Sequence, residues 1–274
     1  SNSETAKFYK KLGAERIVLA RELNLKQIKE ISCIIPTEVF IHGAMCISVS
    51  GRCLLSQFSF NESANRGKCI QPCRRQYISA TDNQGNKLRI QNNHILSPKD
   101  LCTLPFFEKL KKAGITSFKI EGRNKEPEYV ATVTKIYRKA LDKKLTPSEI
   151  KQSLEELNQV YNKGFSEGFY NKLPTSDSFS TSEHSSAKQS KKFIGKIQHY
   201  YNKLGVGLLK LNNGPLKVGD EIYIIGKTTS IIKYKITSMQ INHKEVKTVK
   251  KGQDVGIKLP FCRKNDEVYK IMKK

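Results

Sequence analysis

Residues 16–42 read RIVLARELNLKQIKEISCIIPTEVFIH, and three elements follow from them. Residues 16–22 have the apolar run of a buried strand that ends on Arg21 and Glu22. Residues 25–35 carry apolar side chains at helical spacing, with Asn24 placed as an N-cap. Residues 38–42 form a second strand, and period-two geometry predicts that Glu38, Phe40 and His42 share one face. A strand, a helix of about ten residues and a strand make the βαβ unit of a parallel sheet or barrel.

Working outward, residues 5–12 have helical spacing and Gly13 closes them as a C-cap would. This opening reads as if the chain began partway through a fold. Downstream, residues 78–93 alternate around Gln84 and Gly85, which predicts a hairpin. Ser97 and Pro98 are suited to start a helix over 97–112. Residues 115–122 are the next strand, with Phe118 and Ile120 on one face and Ser117, Lys119 and Glu121 on the other. A charged row is costly inside a packed sheet unless it lines a ligand cavity at the functional end of a barrel. Helices are expected over 127–142 and 148–161.

Residues 173–191 are rich in Ser and Thr, with few apolar positions, and predict a mobile linker. From Phe193 onward the pattern changes to short strands broken by turns, the mark of a small all-β barrel. The expected fold class is α/β plus all-β: an α/β domain over 1–172, the linker over 173–191 and a β-barrel over 192–274.

The chain carries 49 Lys and Arg against 25 Asp and Glu, a net charge of +24. Residues 188–274 hold 20 of the basic and 6 of the acidic residues. An excess this large favours a polyanionic partner, and nucleic acid is the usual one. No run of about 18 apolar residues exists to span a membrane. No charged segment followed by an apolar one opens the sequence as a secretory signal would, so the expected location is the cytoplasm.

Cys46, Cys53, Cys69 and Cys73 fall within 28 residues and Cys102 follows, so five of seven cysteines sit in one region. In a lysine-rich chain without a secretory signal, such clustering points to metal or iron–sulfur ligation rather than disulfides. Four thiolates hold one iron–sulfur cluster or one structural zinc. The spacings lack the tight Cys-x2-Cys knuckle of zinc ribbons, and buried free thiols are the bland alternative.

The run from Glu38 through His42, Gly43 and Cys46 to Arg52 and Cys53 resembles the signature of the U32 peptidase family. SANRGKC (63–69), CRRQY (73–77), LSPKDLC (96–102), FKIEGR (118–123) and GFSEGFY (164–170) are also similar to its blocks. The resemblance implies a partial TIM-like (β/α) barrel whose first strands are absent from this chain. It implies a C-terminal domain like barrel domain II of elongation factor Tu. It also implies an oxygen-labile [4Fe–4S] cluster, and chemistry in which relatives hydroxylate tRNA wobble uridine, 23S rRNA cytidine or ubiquinone precursors with prephenate as oxygen source. The branch that looks most similar is that of the tRNA uridine hydroxylation proteins, so tRNA is the expected partner.

Carried over by motif, the ligands fall on Cys46, Cys53, Cys69 and Cys102, with Cys73 as the alternative fourth. Prephenate is a dicarboxylate, which suits bidentate arginine. Arg21, Arg52 and Arg123, with Lys119 and Glu121, are the expected substrate-binding and catalytic groups, and Glu38 with His42 is a candidate proton-shuttling pair. Ordinary ion pairing with Glu22, Glu38 or Glu121 competes for each cation. Protease chemistry is the alternative function, yet neither a GxSxG elbow nor an HExxH pair is present.

Overall fold

The structure is a computed structural model and describes residues 2–50, 52–75, 79–89, 96–123, 125–182 and 185–273. It divides into two compact units, residues 1–125 with 132–186 and residues 126–131 with 187–274.

The first unit is mixed α/β. Helix α1 (Ser3–Lys11) is capped by the Asn2 side chain, which accepts from the Thr5 N–H. Strand β1 is only Ile17–Val18, because the chain turns out of the sheet towards Arg21, whose guanidinium lies 4.0 Å over the Phe40 ring. Helix α2 (Leu25–Ser32) starts with a reciprocal capping box between Asn24 and Gln27, and it buries Ile28 and Ile31. Strand β2 (Thr37–Gly43) follows, then a cysteine-bearing segment with the short helix α3 (Leu55–Phe60). Strands β3 (Ser79–Thr81) and β4 (Lys87–Arg89) form the expected hairpin; residues 78 and 90–93 of that reading lie outside the described residues. Then come β5 (Asp100–Cys102), α4 (Phe107–Lys111), β6 (Ser117–Ile120), α5 (Pro127–Asp142), α6 (Pro147–Leu157) and β7 (Phe165–Ser166). Helix α6 begins with a capping box between Thr146 and Glu149 and with Pro at its start.

Strand β2 is the spine of the sheet. It pairs in parallel with β1 and with β6, and in antiparallel fashion with β5 through His42 and Gly43. Glu38 pairs with both Val18 and Ser117, and His42 with both Cys102 and Ile120, so β1 and β5 lie end to end on one edge of β2 and β6 on the other. Strand β7 adds in parallel to β5.

The pairing of β2 with β6 slips between Phe40 and His42: Phe40 lies opposite Lys119, and His42 opposite Ile120. One extra residue turns the side chains that follow it to the other side of the sheet. His42 therefore shares the face of Ile120, Phe118 and Val39 rather than that of Glu38 and Phe40. The period-two expectation for His42 is corrected by this bulge.

The helix expected over 97–112 is a second correction. Asp100–Cys102 is a fully buried strand, with the Asp100 N–H on the Gly164 carbonyl and the Thr103 N–H on the Ile41 carbonyl. Only a 3-10 turn at Leu104–Phe106 and α4 are helical. Burial of this segment against β2 overrides the Ser-Pro start signal.

Residues 178–180 of the Ser/Thr-rich stretch are pinned where the sequence predicts a mobile linker. The Lys99 N–H donates to the Ser178 carbonyl, the Ser180 N–H to the Ser97 carbonyl, and Pro98 bridges Phe179. Backbone hydrogen bonds, which composition does not reveal, hold them.

The second unit is all-β. Its strands are β8 (Gln189–Tyr201), β9 (Val206–Leu211), β10 (Leu216–Lys217), β11 (Glu221–Gly226), β12 (Ser230–Lys235), β13 (Met239–Ile241), β14 (Lys244–Glu245), β15 (Thr248–Val249), β16 (Asp254–Lys258) and β17 (Glu267–Lys273). Eight of them form one antiparallel sheet in the order β12-β11-β17-β8-β9-β16-β13-β14, and β10 pairs with β15. Ile194, Ile197, Leu209, Leu211, Ile222 and Ile224 anchor its apolar core. Cys262 is buried there, whereas Cys33 at the end of α2 is exposed.

A cysteine-lined cavity as the candidate active site

The three parallel strands β1, β2 and β6 deliver their carboxyl ends to one place. In open α/β sheets and (β/α) barrels this end is where ligands bind, because the loops there are free to vary. Arg21 follows β1, residues 44–46 follow β2, and Glu121 with Arg123 follows β6; all of them line a cavity of about 310 Å³. The opposite wall is the segment after β2, which contributes Cys53, Cys69, Cys73 and Arg74.

Cys46, Cys53, Cys69 and Cys73 thus line one cavity, and Cys102 is not among its lining residues. Cys102 lies in β5, only 3% exposed, with Sγ 3.7 Å from the Tyr137 hydroxyl. Burial raises the thiol of Cys102 to about 11. Burial likewise raises Cys46, and it raises Cys73 to about 11 although Arg74 works in the other direction. Burial thus favours the protonated thiol at Cys46, Cys73 and Cys102. The Ser56 hydroxyl donates to the Cys69 sulfur at 3.9 Å. The four-thiol donor set has the chemistry of an iron–sulfur or zinc site. Among the described residues, no three His, Cys, Asp or Glu side chains are gathered closely enough to hold a metal ion.

Arginines organise the walls. Arg21 is 3.5 Å from Glu121, and burial lowers its pKa while Glu121 opposes the shift. Glu121 also accepts the Arg123 N–H at 2.9 Å, and Arg123 Nη1 donates to the Gly67 carbonyl at 3.1 Å. Arg123 therefore ties the cysteine segment to the end of β6. Arg74 does the same for the end of β2: its Nη2 donates to the Met45 carbonyl at 3.1 Å and to Asp100 Oδ1 at 3.2 Å. The second Asp100 oxygen accepts the Lys163 N–H at 3.1 Å. Arg74 Nη1 is buried with no hydrogen-bond partner among the described residues. Beside this group the Lys125 ammonium sits 3.5 Å from the Tyr161 ring centroid, and burial lowers it to about 8.

The remaining candidates lie elsewhere. Glu38 accepts from Lys119 at 2.9 Å and from Ser117 at 3.1 Å, with Arg16 at 3.7 Å. It lines a shallow hollow at the amino-terminal ends of the strands, with Glu15, Arg16 and Thr116. Lys119 is spent on that ion pair, and Arg52 is exposed and does not line the cysteine cavity. His42 is 2% exposed, bonded to the Tyr137 hydroxyl at 3.3 Å and packed on Phe165. Burial lowers His42 to about 3, so it stays neutral. The Glu38–His42 pair is thereby corrected: the bulge puts the two side chains on opposite faces. Arg74 and Asp100 were not singled out from sequence, although Arg74 directly follows Cys73 and Asp100 lies two residues before Cys102.

Residues 1–180 match the model of Peptidase family U32. Over 98% of its length this chain is 41% identical to an uncharacterized protease of Methanocaldococcus jannaschii, covering 69% of that protein. It is 37% identical over its full length to a collagenase of Porphyromonas gingivalis, covering 70% of it. It is 35% identical over 82% of its length to tRNA hydroxylation protein P1 of Bacillus subtilis, covering 56% of that relative. A mixed α/β unit with a cavity at the carboxyl ends of its parallel strands, followed by an all-β unit, is the class defined here. The chain belongs to peptidase family U32.

Proposed function

We propose that the chain is an RNA-modifying enzyme that hydroxylates the wobble uridine of tRNA at carbon 5. In this reading prephenate supplies the oxygen, and a [4Fe–4S] cluster is held by Cys46, Cys53, Cys69 and Cys73. The observation that carries it is the convergence of those four cysteines on one cavity walled by Arg21, Arg74 and Arg123. Relatives named for tRNA hydroxylation support the substrate class. The chain's excess of basic residues suits a phosphate backbone. A tRNA substrate would also set the cytoplasm as its workplace.

The cluster would supply electron-transfer or Lewis-acid chemistry. The chain's own residues have simpler duties. Arg21 and Arg123 reach the cavity as bidentate donors for the carboxylates of prephenate. Glu121 holds the Arg21 guanidinium and the Arg123 backbone N–H. Glu38, His42, Lys119 and Arg52 have no part in this reading. We also read the first unit as part of a (β/α) barrel, on the strength of the parallel β1, β2 and β6.

The test is anaerobic purification followed by iron and sulfide analysis, with nucleoside mass spectrometry of tRNA from cells lacking and regaining the gene. About four irons per chain and recovery of 5-hydroxyuridine support the reading. Iron-free protein from every anaerobic preparation overturns it.

Relatives named protease and collagenase favour a second reading as a peptidase. A cysteine nucleophile needs a histidine beside it. Among the described residues lining the cavity there is none. Gelatin cleavage that follows one cavity cysteine would establish this reading over the first.

A further inference from the structure

We infer that the outer face of β8, β9 and β16 in the second unit is a stacking platform for unpaired RNA bases. In strand β8 Lys196 is outside and Ile197 is in the core, and the register shift against β17 between Val268 and Tyr269 lets Ile194 lie in the core as well. A bulge between Ile197 and His199 resets the in-and-out alternation. Beyond it, Tyr200 packs against the core and both His199 and Tyr201 point outward. Their rings meet edge to face with centroids 4.5 Å apart.

The cross-strand neighbours complete the surface. Tyr201 pairs with Val206, which pairs in turn with Lys258; His199 pairs with Leu208. The platform is thus an aromatic pair over a partly exposed aliphatic floor, with the Lys258 ammonium fixed at its edge by the Leu204 carbonyl at 2.9 Å. Tyr201 remains 44% exposed. At the same end of the strands Phe261 is 52% exposed, with the Arg263 guanidinium 4.7 Å over its ring.

The charge selects the occupant. Residues 188–274 hold 20 basic residues against 6 acidic ones, so a polyanion is the complementary partner. Exposed rings on a sheet, rimmed by cations, accept bases by stacking and phosphates by charge, whatever the base sequence. A duplex keeps its bases stacked on each other and offers nothing to these rings. The platform therefore takes a single-stranded loop or end. This inference rests on the proposal that the chain acts on RNA, and it adds where the unpaired nucleotides are held.

The experiment uses the full chain, wild type and Tyr201→Ala, Tyr201→Leu and Tyr201→Phe variants, with fluorescently labelled single-stranded and hairpin-duplex RNA at fixed salt. The exposed ring makes all three variants compatible with folding, which a thermal melt checks. Tyr201→Ala and Tyr201→Leu weaken single-strand binding by roughly tenfold, the size expected for one lost stacked base, while Tyr201→Phe retains it. Duplex binding does not change. Equal affinity of wild type and Tyr201→Ala for the single strand overturns the platform alone, as does an equal loss for both RNA forms. Failure of the wild-type chain to bind any RNA overturns the RNA reading and the platform with it.

Discussion

Arg74 Nη2 and Asp100 Oδ1 lie 3.2 Å apart, with side chains 7% and 1% exposed. The pair joins the residue after Cys73 to the strand that carries Cys102. The same guanidinium holds the carbonyl of Met45, the residue before Cys46. Two cysteine-bearing stretches are therefore fastened to the sheet by one side chain. Arg74→Ala removes the guanidinium that is hydrogen-bonded to the buried Asp100 carboxylate, and the expected loss is about 3–5 kcal/mol. Urea unfolding measures it. Loss below about 1 kcal/mol would show that the pair does not form.

His42 makes stability depend on pH. Its folded pKa, lowered to about 3 by burial, lies under the unfolded value of about 6.5. The unfolded chain therefore takes up the proton first. The contribution of His42 is complete above about pH 6.5 and falls with pH towards 3, at up to about 1.4 kcal/mol per unit. Unfolding at pH 7.5 and pH 5 reads the slope, and His42→Gln flattens it. An unchanged slope in that variant would refute the assignment.

Cys73 and Cys102 separate by their surroundings. With Cys73 in the cavity and Cys102 against Tyr137, Cys73→Ala abolishes anaerobically bound iron and Cys102→Ala preserves it. The Cys102 variant instead costs roughly 1–2 kcal/mol by removing a buried sulfur. The reverse pattern of iron contents would restore Cys102 as the fourth ligand.

Gly67 marks the other fastening. Its φ of +86° suits glycine, and an added Cβ would come 3.2 Å from Arg123 Nη1. Gly67→Ala should cost about 1–2 kcal/mol through the left-handed backbone. It should also quicken proteolysis within residues 63–70, read by mass spectrometry of the fragments.

RNA binding should respond to salt. If the basic second unit contacts several phosphates, affinity for tRNA falls at least about tenfold between 50 and 200 mM salt. A salt-independent affinity would exclude a phosphate-driven interface.

Much of this fold is legible in the sequence where local signals agree. Asn24 caps α2 and Gly13 ends α1, as their neighbours predict. The cysteine region reads as one site, because the clustering of thiols is itself the signal. The misses share one cause: they depend on what a residue meets across the chain. The helix expected from Ser97 gives way to β5 because Asp100 and Cys102 are drawn into the interior by Arg74 and β2. The pairing of Glu38 with His42 fails on a bulge set by the register against β6, which no periodicity within β2 encodes. Glu38 and Lys119 satisfy each other at the far end of the sheet, although their strand pattern alone allowed a ligand-facing role.

The cavity has walls of unlike construction. One consists of strand ends whose geometry is fixed by the sheet ladder. The other is a largely irregular segment held by Arg74 and Arg123 at its flanks. A change at a strand end therefore strikes the ladder itself, whereas a change in the cysteine segment strikes only what Arg74 and Arg123 hold.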